Sequence, residues 1–209
     1  MTTGGSPDVN SHINQRRWLR SSRRLTRYDI MKTMVTFLLT WALGVAPAMA
    51  VDMFLKLGDL KGESVDASHK DEIDVLAWSW GMSQSGTTHT GGGGGAGKAS
   101  FQDLNLTKYV DRTSVKLIEG VATGKHFPSA VLVVRKSGDK PVEYLKITLE
   151  DVIITSLSTG GSGGETQLTE NVSLNFRKFK VEYVPVNPKT GAPETAIPFS
   201  WDISLNVAP

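Results

Sequence analysis

The sequence predicts a mainly-β protein, a closed barrel or sandwich with a single helix. Three observations lead there: many short stretches alternate apolar and polar residues with period two, one stretch alone has helical spacing, and glycine-rich connections join the segments. There is no cysteine among the 209 residues, which excludes disulfides, thiolate chemistry and cysteine-built zinc sites.

The strands read in order as follows. Val51–Gly58 alternates, with Val51, Met53, Leu55 and Leu57 on one face and Asp52 and Lys56 on the other. In Ile73–Trp80, Leu76, Trp78 and Trp80 share a face opposite Ile73, Val75, Ala77 and Ser79. Two large aromatics on one face are expected in the core. Ser100–Thr107 is a third strand. Ala130–Arg135 and Val142–Leu149 flank Ser137-Gly138-Asp139-Lys140, a strong hairpin signal. Val152–Leu157 follows, then Leu168–Tyr183, where the apolar set changes parity between Phe176 and Phe179 and suggests a bulge. The last strand alternates most cleanly, with Phe199, Trp201, Ile203, Leu205 and Val207 on one face. The helix is expected after an Asp111 N-cap, with Val115, Ile118 and Ala122 on one face, Leu117 and Val121 beside them, and Gly124 closing it.

Charge divides the chain. Residues 1–50 hold seven Lys/Arg against two Asp/Glu, whereas the remainder holds 16 against 19. The body is therefore slightly acidic and lacks the basic stripe of a nucleic-acid binder. Residues 1–48 read as a leader separate from a body of 49–209. Residues 1–30 are polar, arginine-rich and without periodicity. From Met31, Lys32 precedes an apolar run, Met34 to Val45, and then Ala48-Met49-Ala50, the parts of a secretory signal peptide. That run is too short for a stable membrane anchor. A second reading starts translation at Met49, which leads straight into the first strand.

No catalytic constellation emerges, so an enzyme is not expected. Gly92 to Lys98 fits G-x-x-x-x-G-K, yet Ala99 stands where Mg²⁺ coordination needs Ser or Thr, and a strand follows where a helix should. His69 lies near Asp66, Asp71 and Glu72 without a nucleophile and reads as a solvated loop face, as does His126. The four histidines are too scattered for a metal site, and no cofactor is expected.

Several stretches resemble a known family. Phe54-Leu55-Lys56-Leu57-Gly58-Asp59-Leu60-Lys61-Gly62-Glu63-Ser64 is similar to the first strand and turn of the haemolysin-coregulated protein (Hcp) family, the tube proteins of bacterial type VI secretion. Similar too are Glu72-Ile73-Asp74-Val75-Leu76-Ala77-Trp78-Ser79-Trp80-Gly81 and Leu106-Thr107-Lys108-Tyr109-Val110-Asp111. Ser158-Thr159-Gly160-Gly161-Ser162-Gly163-Gly164 and Leu168-Thr169-Glu170-Asn171-Val172 complete the series, in order, from about Met49 onward.

The resemblance implies a small closed β-barrel with one flanking helix, assembled as a homohexameric ring. Rings would stack into a tube within a contractile sheath, capped by a VgrG-type spike, and carry or chaperone small effectors. The protein would be cytoplasmic before firing and then secreted through the type VI machine. The alternative is a periplasmic β-barrel binding module, exported by a genuine signal peptide. On a ring-lining strand, Ser79 would face the lumen and contact effectors. Gly91, Gly92, Gly93, Gly94 and Gly95, with Gly160, Gly161, Gly163 and Gly164, are candidates for ring-stacking loops, since glycine-rich rims adapt to a neighbouring ring.

Overall fold

A computed structural model of the chain describes residues 51–86, 98–138 and 140–208. Nine strands and one helix follow in order: β1 Val51–Leu57, β2 Ile73–Ser79, β3 Met82–Ser83, β4 Ser100–Phe101, β5 Leu104–Tyr109, α1 Ser114–Thr123, β6 His126–Lys136, β7 Val142–Gly160, β8 Thr169–Tyr183 and β9 Ile197–Asp202. The large sheet runs β5-β2-β1-β6-β7-β8, and β8 pairs back to β5, so six antiparallel strands close a barrel. One edge of β8 is shared. Its first half pairs with β5 (Leu104↔Leu174 to Tyr109↔Thr169), and its second half pairs with β9 (Lys178↔Asp202 to Tyr183↔Ile197). Closure removes the open edges that an isolated sheet would leave.

The alternation expected in the sequence places the core. Leu55, Leu57, Ile73, Val75, Leu104, Leu106, Leu132, Val134, Ile147, Leu149, Val172 and Leu174 all point inward and are buried. The β6–β7 hairpin forms as expected, with Lys136 opposite Val142.

Several elements differ from expectation, each for a local reason. In β2 the register against β5 shifts between Val75 and Ala77. The bulge exchanges faces, so Leu76 is exposed, while Ile73 and Val75 before it and Trp78 and Trp80 after it all pack on the core. Ser100–Thr107 is not one strand. The chain leaves the β2 pairing at Gln102, whose N–H donates to Gly81 O (3.0 Å), while Trp80 Nε1 donates to Gln102 O (3.0 Å). Beyond that point β3 and β4 pair as a separate two-stranded piece, Met82↔Phe101 and Ser83↔Ser100.

Val142–Leu149 and Val152–Leu157 belong to one 19-residue strand, β7. The parity change between Phe176 and Phe179 involves no slip, because β7 and β8 stay in register from Leu145↔Tyr183 to Ile154↔Leu174. Instead, β6, β7 and β8 change face along one line. Buried Phe127 gives way to Ala130, Leu149 to Val152, and Phe176 to Phe179. Asp151, on that line, has φ 55. The sheet turns a corner there, and the left-handed residue in β7 absorbs the bend. The true shift against β8 comes later, between Ile154 and Ser156.

The last strand ends early. β9 stops at Asp202, and residues 203–206 turn back so that Asp202 pairs with Val207. Leu205 and Val207 are exposed, and so is Phe199 within the strand. Asp202 sets the stop: its Oδ1 accepts from the N–H groups of Ser204 and Leu205 (3.0 Å each) and from Ser204 Oγ (2.6 Å).

Helix α1 ends at Gly124 as expected, in the left-handed conformation (φ 64). Its other features are corrected. Thr113, not Asp111, is the residue that immediately precedes the helix, and it makes no side-chain cap bond there. Asp111 acts from two residues upstream, its Oδ1 accepting from the Thr113 N–H (2.8 Å) as well as from Lys108 Nζ (2.9 Å). The buried residues are Ser114, Leu117 and Gly120, whereas Val115 is 71% exposed and Ile118 50%. Gly120 lets the helix lie close, with Ile154 Cδ1 at 3.0 Å from where a Cβ would be.

Residues 58–72 cover the outer face of β1. Gly62 is required there, because any side chain would begin 2.1 Å from Glu72 O. His69 is not a solvated loop residue. It is buried, stacks on Phe54 at 4.3 Å, and its Nδ1 lies 2.9 Å from Glu72 Oε2. Arg135 pins the same segment, its guanidinium bonded to Asp66 and to Asp52 (3.0 Å) and lying 4.9 Å from the Phe54 ring. The Asp66 carboxyl is held well below the usual carboxylate range by the hydrogen bond from Arg135, and the Arg135 pKa is raised by the reciprocal bond. His126 is exposed, as expected, and meets Asp151 Oδ1 at 2.9 Å.

Candidate functional site

The candidate surface begins at Ser79. Trp80 packs edge-on against Phe179 (4.8 Å) and Phe176 (5.8 Å), and Trp78 packs against the same core. Strand geometry then sends Ser79, between them, to the outer face, where it is exposed.

Pairing places Ser79 opposite Asn105, Asn105 opposite Ser173, and Ser156 opposite Ser173 on the far side. One row over, Ala77, Thr107, Asn171 and Ser158 align in the same way. Four adjacent strands, β2, β5, β8 and β7, therefore present one outer wall of hydroxyl and amide groups.

Much of this wall is internally bonded. Thr107 Oγ1 donates to Asn171 Oδ1 (2.8 Å), and Ser173 Oγ donates to Asn105 Oδ1 (2.7 Å). Asp103 gathers Thr155 Oγ1 (2.5 Å) and Asn175 Nδ2 (2.7 Å). Such mutual bonding fixes rotamers, so the wall offers a preset surface at low entropic cost. Ser79, like Ser156 and Ser158 of the same rows, makes no side-chain bond among the described residues, which leaves a donor and acceptor for a partner. Ser79 was identifiable from strand alternation; the surrounding groups were not, because they come together only through pairing between distant strands.

The second group of candidates lies in loops. Gly160 ends β7, and Gly161, Gly163 and Gly164 lie in the exposed turn to β8. With Ser158, Thr159, Glu165 and Asn171, the turn borders a shallow depression that continues the polar wall. Gly91 to Gly95 lie outside the described residues, as do His89 and the leader. The described chain on either side of that glycine run pairs at Ser83↔Ser100.

Sequence reasoning missed a buried ion cluster at the closure seam. Lys108 and Glu170 are direct β5–β8 partners, both about 1% exposed, with Nζ 2.7 Å from Glu170 Oε1. The other Lys108 donors reach Asp111 Oδ1 (2.9 Å) and Tyr109 O (2.7 Å), and Ser114 Oγ donates to Glu170 Oε1 (2.8 Å). The cluster ties α1 to both seam strands. Inward-pointing charge at alternating core positions was the signal available, since Lys108 follows Leu104 and Leu106, and Glu170 precedes Val172 and Leu174. Among the described residues, no group of His, Asp and Glu gathers in a metal-holding arrangement, and no helix is long and apolar enough to cross a membrane.

Comparison with known proteins agrees with this architecture. A family model described as type VI secretion system effector, Hcp, matches residues 54–183. Protein hcp1 of Pseudomonas aeruginosa strain PAO1 is 55% identical over 160 residues, covering 76% of this chain and 99% of its own length. Two solved structures superpose over 77% of this chain and 100% of theirs. One is a type six secretion system protein, with TM-score 0.73 at 29% identity. The other is Hcp1 from Salmonella typhimurium, with TM-score 0.62 at 38% identity. The family model and the relative together span the closed barrel and its polar wall, and this chain belongs to the Hcp family of type VI secretion effectors.

Proposed function

We propose that the chain is the subunit of a type VI inner tube: six copies close a ring, rings stack, and the polar wall around Ser79 lines the lumen and carries effectors. The observation that carries this reading is the wall itself, a four-strand surface of small hydroxyl and amide groups that no other described element covers. Cargo can pass along such a surface without meeting an apolar trap.

Exposed apolar residues support the ring. Val115 and Ile118 on α1, and Ile197 and Phe199 on β9, form patches on two different elements. A head-to-tail ring needs two unlike patches of this kind. The turn Gly160–Gly164 and the glycine run Gly91–Gly95 are assigned to stacking between rings. The sheath, a VgrG-type spike and small effectors are the remaining partners, and the protein waits in the cytoplasm before secretion.

Sedimentation of the purified full chain tests the ring, with hexamers expected; monomer at every practical concentration refutes it. In the secreting cell, Ser79→Glu is expected to spare ring assembly and lower effector load. Normal loads on intact rings would remove Ser79 from the lumen site.

A further inference from the structure

The two paired rows of the polar wall are neutral at every position. Glu165 stands in the depression at one end, and two residues before Asn105 along the chain stands the carboxylate of Asp103. This residue immediately precedes β5 and is half-buried. Its Oδ2 accepts from Thr155 Oγ1 (2.5 Å), its Oδ1 from Asn175 Nδ2 (2.7 Å), and its backbone oxygen from Asn105 Nδ2 (3.2 Å). All three donors are uncharged. Among the described residues no Lys, Arg or His forms an ion pair with it. Arg177, two residues beyond Asn175 along β8, is turned to Asp151 Oδ2 at 3.5 Å.

The carboxylate is thus held by neutral groups from β7 and β8, and no cation among the described residues compensates its charge. A carboxylate has about four lone-pair sites, and two are filled here, so acceptor capacity remains. Because the side chain is already fixed, a cation arriving there meets little ordering cost.

Resting on the lumen reading above, we propose that Asp103 is the cation-accepting point of the cargo wall. It takes a lysine or arginine side chain of the carried protein, at a place two residues along the chain from Asn105, the β5 partner of Ser79. One half-exposed pair is weak. In a ring the same carboxylate recurs on every subunit, and simultaneous contacts raise avidity without any new chemistry. Cargo with a basic face is therefore preferred over cargo with an acidic one.

The test uses the full-length protein and two fluorescein-labelled peptides, oligolysine and oligoglutamate, with binding followed by anisotropy at low and at physiological salt. Wild type is expected to bind oligolysine, more weakly as salt rises. Asp103→Asn keeps the size and can keep both side-chain bonds if Asn175 turns its amide, and it should weaken oligolysine binding by roughly fivefold or more. Asn175→Lys places a cation beside the carboxylate and should produce the same loss; it decides the matter alone if Asp103→Asn does not fold. Glu194→Gln, on the exposed segment between β8 and β9, should change nothing.

Unchanged affinity in the folded Asp103 and Asn175 variants, or equal binding of oligoglutamate, overturns the proposal. Sedimentation of the same samples separates the two ideas. Rings with unchanged affinity remove Asp103 and leave the tube reading standing. Monomers with Asp103-dependent binding remove the tube reading and leave Asp103 as a cation site.

Discussion

Asp202 is about 1% exposed, and it is the residue that ends the last strand. The hydrogen bond from Ser204 Oγ, then that from the Leu205 N–H and the approach of Lys178, lower its pKa from 3.8 to about 2. A carboxyl with a depressed folded value stabilises the fold fully above its ordinary value, and that contribution disappears as pH falls toward 2. The midpoint of urea unfolding should therefore drop more steeply between pH 4 and pH 2 in the wild type than in Asp202→Asn. Parallel pH profiles would contradict this assignment. Lys108 supplies a second test at this scale. Lys108→Met leaves Glu170 buried beside Asp111 with no cation, and breaking such a pair costs roughly 3–5 kcal/mol. Adding Glu170→Gln should recover a large part of the loss, as measured by equilibrium denaturation. A double variant no more stable than the single one would show that the cluster is held by something other than charge balance.

At the scale of elements, helix α1 shows how far periodicity reaches. Its extent was legible to within a few residues, because Gly124 and the apolar spacing mark it. Its rotation was not. Leu117 faces the core while Val115 and Ile118 face outward, since the Ser114–Glu170 bond and the missing side chain of Gly120 set the contact. Leu117→Ala should cost about 2–5 kcal/mol through the cavity it leaves. Val115→Ala should stay within about 0.5 kcal/mol in the isolated subunit. Thermal and chemical denaturation of the two variants measure this difference, and the reverse order would restore the face expected from sequence. β9 gives the same lesson in a strand. Its alternation continues to Val207, but the capping carboxylate of Asp202 outweighs the pattern and turns the chain.

For the whole molecule, the glycine connections are where function can vary without endangering the core. Removing Gly91–Gly95 should leave the far-UV spectrum and unfolding midpoint of the body unchanged while impairing ring stacking or secretion. A shortened chain that fails to fold would make the segment structural. The leader is a separate matter. The intact mass of the protein from its source cell distinguishes a start at Met49 from a start at Met1 or cleavage after Ala50.

By itself the sequence determined the β-rich class, the inward residues of most strands, the β6–β7 hairpin, the helix with its glycine end, and the outward direction of Ser79. All of these are local, written in spacings of two or of three to four residues. Only the tertiary structure decided which strand closes on which, and so that Lys108 meets Glu170, 62 residues away, and that Asp103 meets Thr155 and Asn175. It also decided the rotation of α1 and the corner that β6, β7 and β8 turn together at Asp151. The reason is physical: periodicity tells a side chain which face it lies on, whereas its partner depends on the register between distant strands, set by closing the barrel as a whole.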